Sequence, residues 1–191
     1  MTSKLVSELL ERSGLLPLLA QRERGIVPCG AEIDELVDRA DTLALGAAAD
    51  LARRGECGDE TRIHVPAAPP ATNDVAVIVS AASAGGTAFL RHVARERLVG
   101  PIGRRIVVDF AAVGLEIAQV ALSFGATDLA GPIASRKGLP MLEVDDQKKV
   151  VKRRELAAFV ERAGFRPVFV TTDARPEGRS TPESARPHVD S

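Results

Sequence analysis

Two hydrophobic patterns divide this chain, a helical one in its first third and an alternation of apolar runs with helical segments after it. Residues 4–12 have helical spacing that ends near Ser13 and Gly14. The apolar stretch from Leu15 to Ala20 follows, interrupted by Pro17, which an interior helical turn does not accommodate. Between Glu32 and Ala40, the positions Ile33, Leu36, Val37 and Ala40 share one helical face. Asp41 or Thr42 can cap the next helix, which carries Leu43, Ala47 and Leu51 and is closed by Gly55 and Gly58.

The pattern then changes. Arg62 to Val65 reads as a short strand, and a proline-rich connection runs from Pro66 to Pro70. Val75 to Val79 is a continuous apolar run, which marks a strand buried on both faces of a parallel sheet. After the turn at Ala84, Gly85 and Gly86, a helix over 87–98 buries Phe89, Leu90, Val93 and Ala94. A second buried run spans Ile106 to Phe110, and a helix from about Val113 to Phe124 follows it. Leu115, Ala118 and Leu122 lie on one side of that helix, with Glu116, Gln119 and Ser123 on the other, and Gly125 terminates it. Thr127 to Gly131 is a short strand with its loop, and residues 132–146 form a variable stretch. Lys152 to Ala163 is an amphipathic helix, and Pro167 to Val170 is a last extended piece. From residue 171 onward Pro, Ser, Thr and charges dominate, a composition that predicts a disordered tail. Strands alternating with helices predict an α/β unit with parallel strands.

Composition narrows the function classes. The chain has 191 residues, 45% hydrophobic and 27% charged, enough to bury a core. Its 25 Lys and Arg nearly cancel 26 Asp and Glu, so no excess of positive charge is present to hold a polyanion. Six Phe are the only aromatic residues, which also speaks against stacking on single-stranded nucleic acid. Cys29 and Cys57 form no close pair, the start of the chain has no secretory pattern, and no uncharged apolar run is long enough to span a bilayer. The expectation is a cytoplasmic protein that binds neither nucleic acid nor membrane.

Candidate chemistry is sparse. Small residues from Ser80 through Gly85 and Gly86 follow a buried strand and would let a ligand approach backbone amides, although a tight strand-to-helix turn needs the same residues. Asp109 lies in an otherwise apolar run with Glu116 on the following helix, a placement that suits either binding and acid–base work or helix capping. Cys29, Cys57, His64, His92 and His188 lack the close pairing of a metal site, so neither metal nor cofactor is expected. Lys148, Lys149, Lys152, Arg153 and Arg154 are preceded by Glu143, Asp145 and Asp146 and read as a mixed solvated face.

One stretch is more specific. Gly114 to Gly131, GLEIAQVALSFGATDLAG, resembles the segment GPKLAQVALSFGADDLDGT of the radical S-adenosylmethionine enzymes of the futalosine route to menaquinone, aminofutalosine synthase and cyclic dehypoxanthinyl futalosine synthase. Arg154 to Val168 is similar to that family's closing REELVRLIREAGRIPV, and Asp41 to Asp50 is similar to its N-terminal LLALGALADEVR. The resemblance covers roughly residues 87–170 and 31–53, and implies the last part of a (β/α) barrel whose C-terminal strand ends face a ligand. The family holds its iron–sulfur cluster with three cysteines, and this chain has two in total. Only some 30 residues separate the two similar regions, whereas a closed eight-stranded barrel takes about 200–250 residues. The position of the family's later aspartate is Ala130 here, while Asp128 is retained.

These readings predict a helical extension over 1–58, an α/β unit over 59–170 and a disordered tail over 171–191. The sheet is expected to have about four parallel strands, as a partial barrel or a small open sheet. The resemblance implies a catalytically inactive relative acting as an accessory or regulatory subunit in menaquinone or related metabolism, as a homodimer or beside a full-length radical enzyme. The alternative is a module binding a nucleoside-like small molecule through Asp109, Ser80, Gly85, Gly86, Thr127 and Asp128.

Overall fold

The computed structural model describes residues 4–65, 75–78, 85–134 and 151–171. The expectation of a disordered tail, and the Ser80 loop, lie outside the described residues. Four helices come first: α1 (Lys4–Arg12), α2 (Leu16–Glu23), α3 (Ala31–Arg39) and α4 (Thr42–Cys57). Pro17 does not break α2, because it falls in the first turn, where its missing N–H has no partner to lose. Asp41 caps α4 by accepting from the N–H groups of Leu43 at 2.8 Å and Ala44 at 3.3 Å.

The strands and helices that follow are β1 (Glu60–Val65), β2 (Val75–Ile78), α5 (Gly85–Val99), β3 (Arg105–Asp109), α6 (Phe110–Val113), α7 (Leu115–Leu122) and β4 (Asp128–Ala130). The chain continues through β5 (Ile133–Ala134), β6 (Val151–Lys152), α8 (Arg153–Arg162) and β7 (Arg166–Thr171). Five of the strands form one parallel sheet in the order β2-β3-β4-β1-β7, while β5 and β6 pair separately. The fold is therefore α/β with an open sheet, one strand larger than the sequence suggests, and a helical N-terminal part. Among the described residues, the edge positions go to β2 and β7. The helix expected from about Val113 to Phe124 is α7, which starts after Gly114 at φ +87, and a separate short turn, α6, precedes it.

Strand alternation sorts the sheet into two faces. Ile63, Val65, Ile106, Val108 and Leu129 join one continuous hydrophobic cluster with Ala44, Ala48, Val93, Leu98, Ala118, Leu122 and Leu156 from the helices. Close approach there depends on small residues: Gly46 on α4 meets the Phe124 ring, which a Cβ would reach at 2.8 Å. Val107 and Ala130 are also buried but belong to the opposite face and to no part of that cluster.

A charged network closes the N-terminal edge of the sheet. Arg53, fully buried on α4, donates to the carbonyls of Ala126 and Gly58 at 2.8 Å and of Glu60 at 3.1 Å, and to Thr61 Oγ1 at 3.0 Å. Its guanidinium also lies 4.0 Å from the centre of the Phe165 ring. Arg97 on α5 donates to the carbonyls of Gly125 and Arg104, and Arg22 on α2 to those of Leu98 and Gly100. Arg22 and Arg97 share one carboxylate, Glu56, at 2.6 and 3.2 Å, and the Gly103 N–H donates to the same group at 2.9 Å. Burial lowers the Arg53 pKa to about 10, still far above neutrality. Burial pushes the Glu56 carboxyl up, but the Arg22 hydrogen bond, the Gly103 amide and the two guanidinium charges outweigh it and hold the group below its ordinary value.

Replacing Glu56 with Gln leaves two buried guanidinium groups without their counter-charge, and the cost expected is about 3–5 kcal/mol in urea unfolding at neutral pH. The depressed Glu56 and Asp128 carboxyls fix the sign of the acid response. Both release their protons more readily in the folded chain, so their stabilisation is complete above the unfolded carboxylate range, from about pH 5 upward. It is lost as pH falls through the lower folded values. Unfolding free energies measured between pH 3 and 7 should decline on the acid side, and Glu56→Gln should flatten part of that slope.

Candidate functional site

The C-terminal edge of the sheet is where a parallel α/β fold presents ligands. There Asp109 ends β3 and its carboxylate accepts from the Ala111 N–H at 2.8 Å, capping α6. The chain turns sharply so that Phe110, buried at 4% exposure, packs on Gly131. Beside this turn lies a cleft of about 820 Å³, lined on one side by Phe110, Leu115, Glu116 and Ile117, and on the other by Val151, Glu155, Phe159 and Arg162. Its volume falls within the ordinary range for small-molecule sites. Gln119 Nε2 donates to the Phe159 carbonyl at 2.8 Å and joins α7 to α8. The walls are apolar with two aromatic rings, while Glu116, Glu155 and Arg162 stand exposed at the opening.

The glycines expected to contact a ligand are near this cleft without lining it. Gly85 begins α5 with φ +71, and Gly86 lies so close to α7 that a Cβ would meet Ile117 Cδ1 at 2.8 Å. Gly86 therefore sets the position of a side chain in the cleft wall. Its smallness serves helix packing in the described structure.

Thr127 and Asp128 are placed elsewhere. Thr127 is fully buried just before β4, where its hydroxyl accepts from the Ile106 N–H at 2.8 Å and lies 3.3 Å from the Ile106 carbonyl. It fixes the register of β3 against β4. Asp128 lies on the sheet face turned away from the hydrophobic cluster, 2% exposed. Its Oδ2 is 2.8 Å from His64 Nε2, and its Oδ1 makes an ion-pair contact of 2.6 Å with Arg105 Nη2. Burial alone would raise the Asp128 carboxyl. The His64 hydrogen bond and the Arg105 charge outweigh it and hold the group below its usual range.

The sequence offers His64 as a metal ligand or an ordinary imidazole, and nothing in it marks Arg105. The alternation of Arg62, Ile63, His64 and Val65 along β1 carried the signal, since it puts a polar side chain on every second residue of a strand. What the sequence lacked was the strand order that sets β1 beside β4. Among the described residues, no three of His, Cys, Asp and Glu converge as metal ligands. Cys29 is exposed, and Cys57 Sγ lies 3.8 Å from the Gly103 carbonyl. No described helix is long and apolar enough to cross a membrane.

Comparison with known proteins adds no relative: no family model matches the chain, and no curated protein matches it.

Asp109→Ala should destabilise the fold by about 1 kcal/mol through loss of the cap, with Asp109→Ser recovering most of it in thermal denaturation. A capping residue shows this pattern whether or not ligand is present.

Proposed function

We propose that this chain is a catalytically inactive barrel remnant that binds a nucleoside-like small molecule in the cleft between α7 and α8. The observation that carries the reading is the cleft itself, with Phe110 and Phe159 among its walls and two carboxylates at its mouth. Apolar walls accept the body of a heterocycle, and carboxylates accept hydrogen bonds from sugar hydroxyls or amino groups. The resemblance of Gly114 to Gly131 to the menaquinone-route radical enzymes supports the same ligand class, because α7 and β4 are the elements that carry the similar residues. With two cysteines, the chain cannot itself supply the three thiolates of the family's cluster. Within this reading it senses or holds a nucleoside intermediate of quinone-related metabolism.

A second reading, an accessory subunit docking on itself or on a full-length radical enzyme, draws on the open edge at β7. The Arg166 N–H bonds inward to the Asp59 carbonyl, so alternation turns the backbone of residues 167, 169 and 171 outward. Pro167 has no N–H to offer there, which leaves Phe169 and Thr171 as outward donors. Such an edge is blunted against strand addition, so the cleft supports the binding reading better.

Calorimetric titration with adenosine and with S-adenosylmethionine tests the choice. Saturable binding is expected for at least one of them, weakened five- to tenfold by joint Glu116→Gln and Glu155→Gln substitution. Both side chains are exposed, so the melting temperature of the unliganded protein should stay unchanged. Absence of heat with both compounds, together with co-purification of a radical enzyme in near-equal amount, would replace this reading with the accessory one.

A further inference from the structure

A second depression, of about 430 Å³, adjoins the cleft along α8 and is lined by Lys152, Arg154, Glu155, Ala158 and Arg162. Glu155 and Arg162 belong to both cavities, so the two share a rim. Arg154, Ala158 and Arg162 are spaced four residues apart and form one stripe on the helix, with a small side chain between two long ones. The depression carries three cations against one carboxylate, in a chain whose formal net charge is -1. That carboxylate is met by Lys152, whose Nζ lies 3.9 Å from Glu155 Oε1.

The two arginines differ from most others in this protein. Arg22, Arg53, Arg91 and Arg97 all direct their guanidinium groups at carboxylates or backbone carbonyls. Among the described residues, Arg154 has neither an ion pair nor a hydrogen bond, and Arg162 has only the Phe159 ring, 5.7 Å from its centre. A planar guanidinium matches the oxygens of a phosphate. About 12 Å of helix axis separate Arg154 from Arg162, a span that two extended arginine side chains close from either side over Ala158. Glu116 at the mouth of the cleft repels an anion, which directs a ligand's charged group past Glu155 to this stripe. We propose that the ligand of the cleft is a nucleoside monophosphate. Its heterocycle lies between the apolar walls, its sugar hydroxyls meet Glu116 and Glu155, and its phosphate rests on Arg154 and Arg162. Lys152 neutralises Glu155, which would otherwise oppose the phosphate. This assignment rests on the nucleoside reading of the cleft and specifies its ligand further.

Calorimetric titration of the full chain with adenosine monophosphate, adenosine and inorganic phosphate tests the assignment. The monophosphate is expected to bind at least about tenfold tighter than adenosine, the effect of one charge-assisted hydrogen bond. That margin should shrink as salt rises from about 50 to 500 mM, because the cations are exposed. Arg154→Gln and Arg154→Glu should each remove most of it and leave adenosine affinity unchanged, since Arg154 lines the depression and not the cleft. Arg12→Glu on α1 makes the same change of net charge as Arg154→Glu and should leave the margin intact. A monophosphate that binds no tighter than adenosine would overturn the proposal and leave the nucleoside reading standing. Equal loss of the margin in Arg12→Glu, or inorganic phosphate binding as tightly as the monophosphate, would overturn it as unspecific attraction. Heat from neither adenosine nor its monophosphate would overturn it too, and the S-adenosylmethionine titration then decides the cleft by itself.

Discussion

One carboxylate shared by two buried arginines organises the lower edge of this fold. Glu56, at the end of α4, accepts from Arg22 on α2, from Arg97 on α5 and from the Gly103 amide before β3. Arg53, one turn earlier on α4, reaches the carbonyls that precede β1 and β4. Helix ends and strand starts carry carbonyls that no regular hydrogen bond satisfies, and long guanidinium side chains satisfy several at once. A carboxylate alone could not do this, since it offers no donors. The network therefore accounts for a sheet whose strands begin in register although their connections differ in length.

With the N-terminal edge closed this way, the opposite edge carries the surfaces free for chemistry. Phe110 turns away from β3 over Gly131 and opens a cleft against α8, while Asp109 is occupied in capping that turn. The two faces of the sheet differ just as sharply. One is apolar and packs on helices, and the other holds His64, Asp128 and Arg105 in contact. A burial-driven core needs no charges, and each buried ion costs several kcal/mol unless paired. Their presence on one face only is the strongest departure from a purely structural sheet.

Much of the fold was legible because it rests on local pattern. The run Val75 to Ile78, the segment Arg105 to Asp109 and the amphipathic α8 announce their periods within a few residues. Pro17 misled because a proline inside an apolar run looks like a break unless the helix start is known to lie one residue earlier. Gly114 is similar: nothing in its neighbours shows that it takes positive φ and sets a separate turn, α6, ahead of α7. The site was less legible than the fold. Asp109 was visible as a polar residue in an apolar run, but whether it capped or bound depended on where α6 began.

By itself, the sequence determined the α/β alternation, the helical first third, the near-balanced charge and the lack of a three-cysteine cluster motif in this chain. Those follow from side-chain period and residue counts, which need no knowledge of what neighbours what. Only the tertiary structure decided that β1 lies between β4 and β7. That order brings His64 against Asp128 across 64 residues of sequence and separates Thr127 and Asp128 from the cleft beside the turn that Asp109 caps. The reason is physical: strand pairing is set by long-range packing of buried faces, and no local period encodes which strand becomes the neighbour of another.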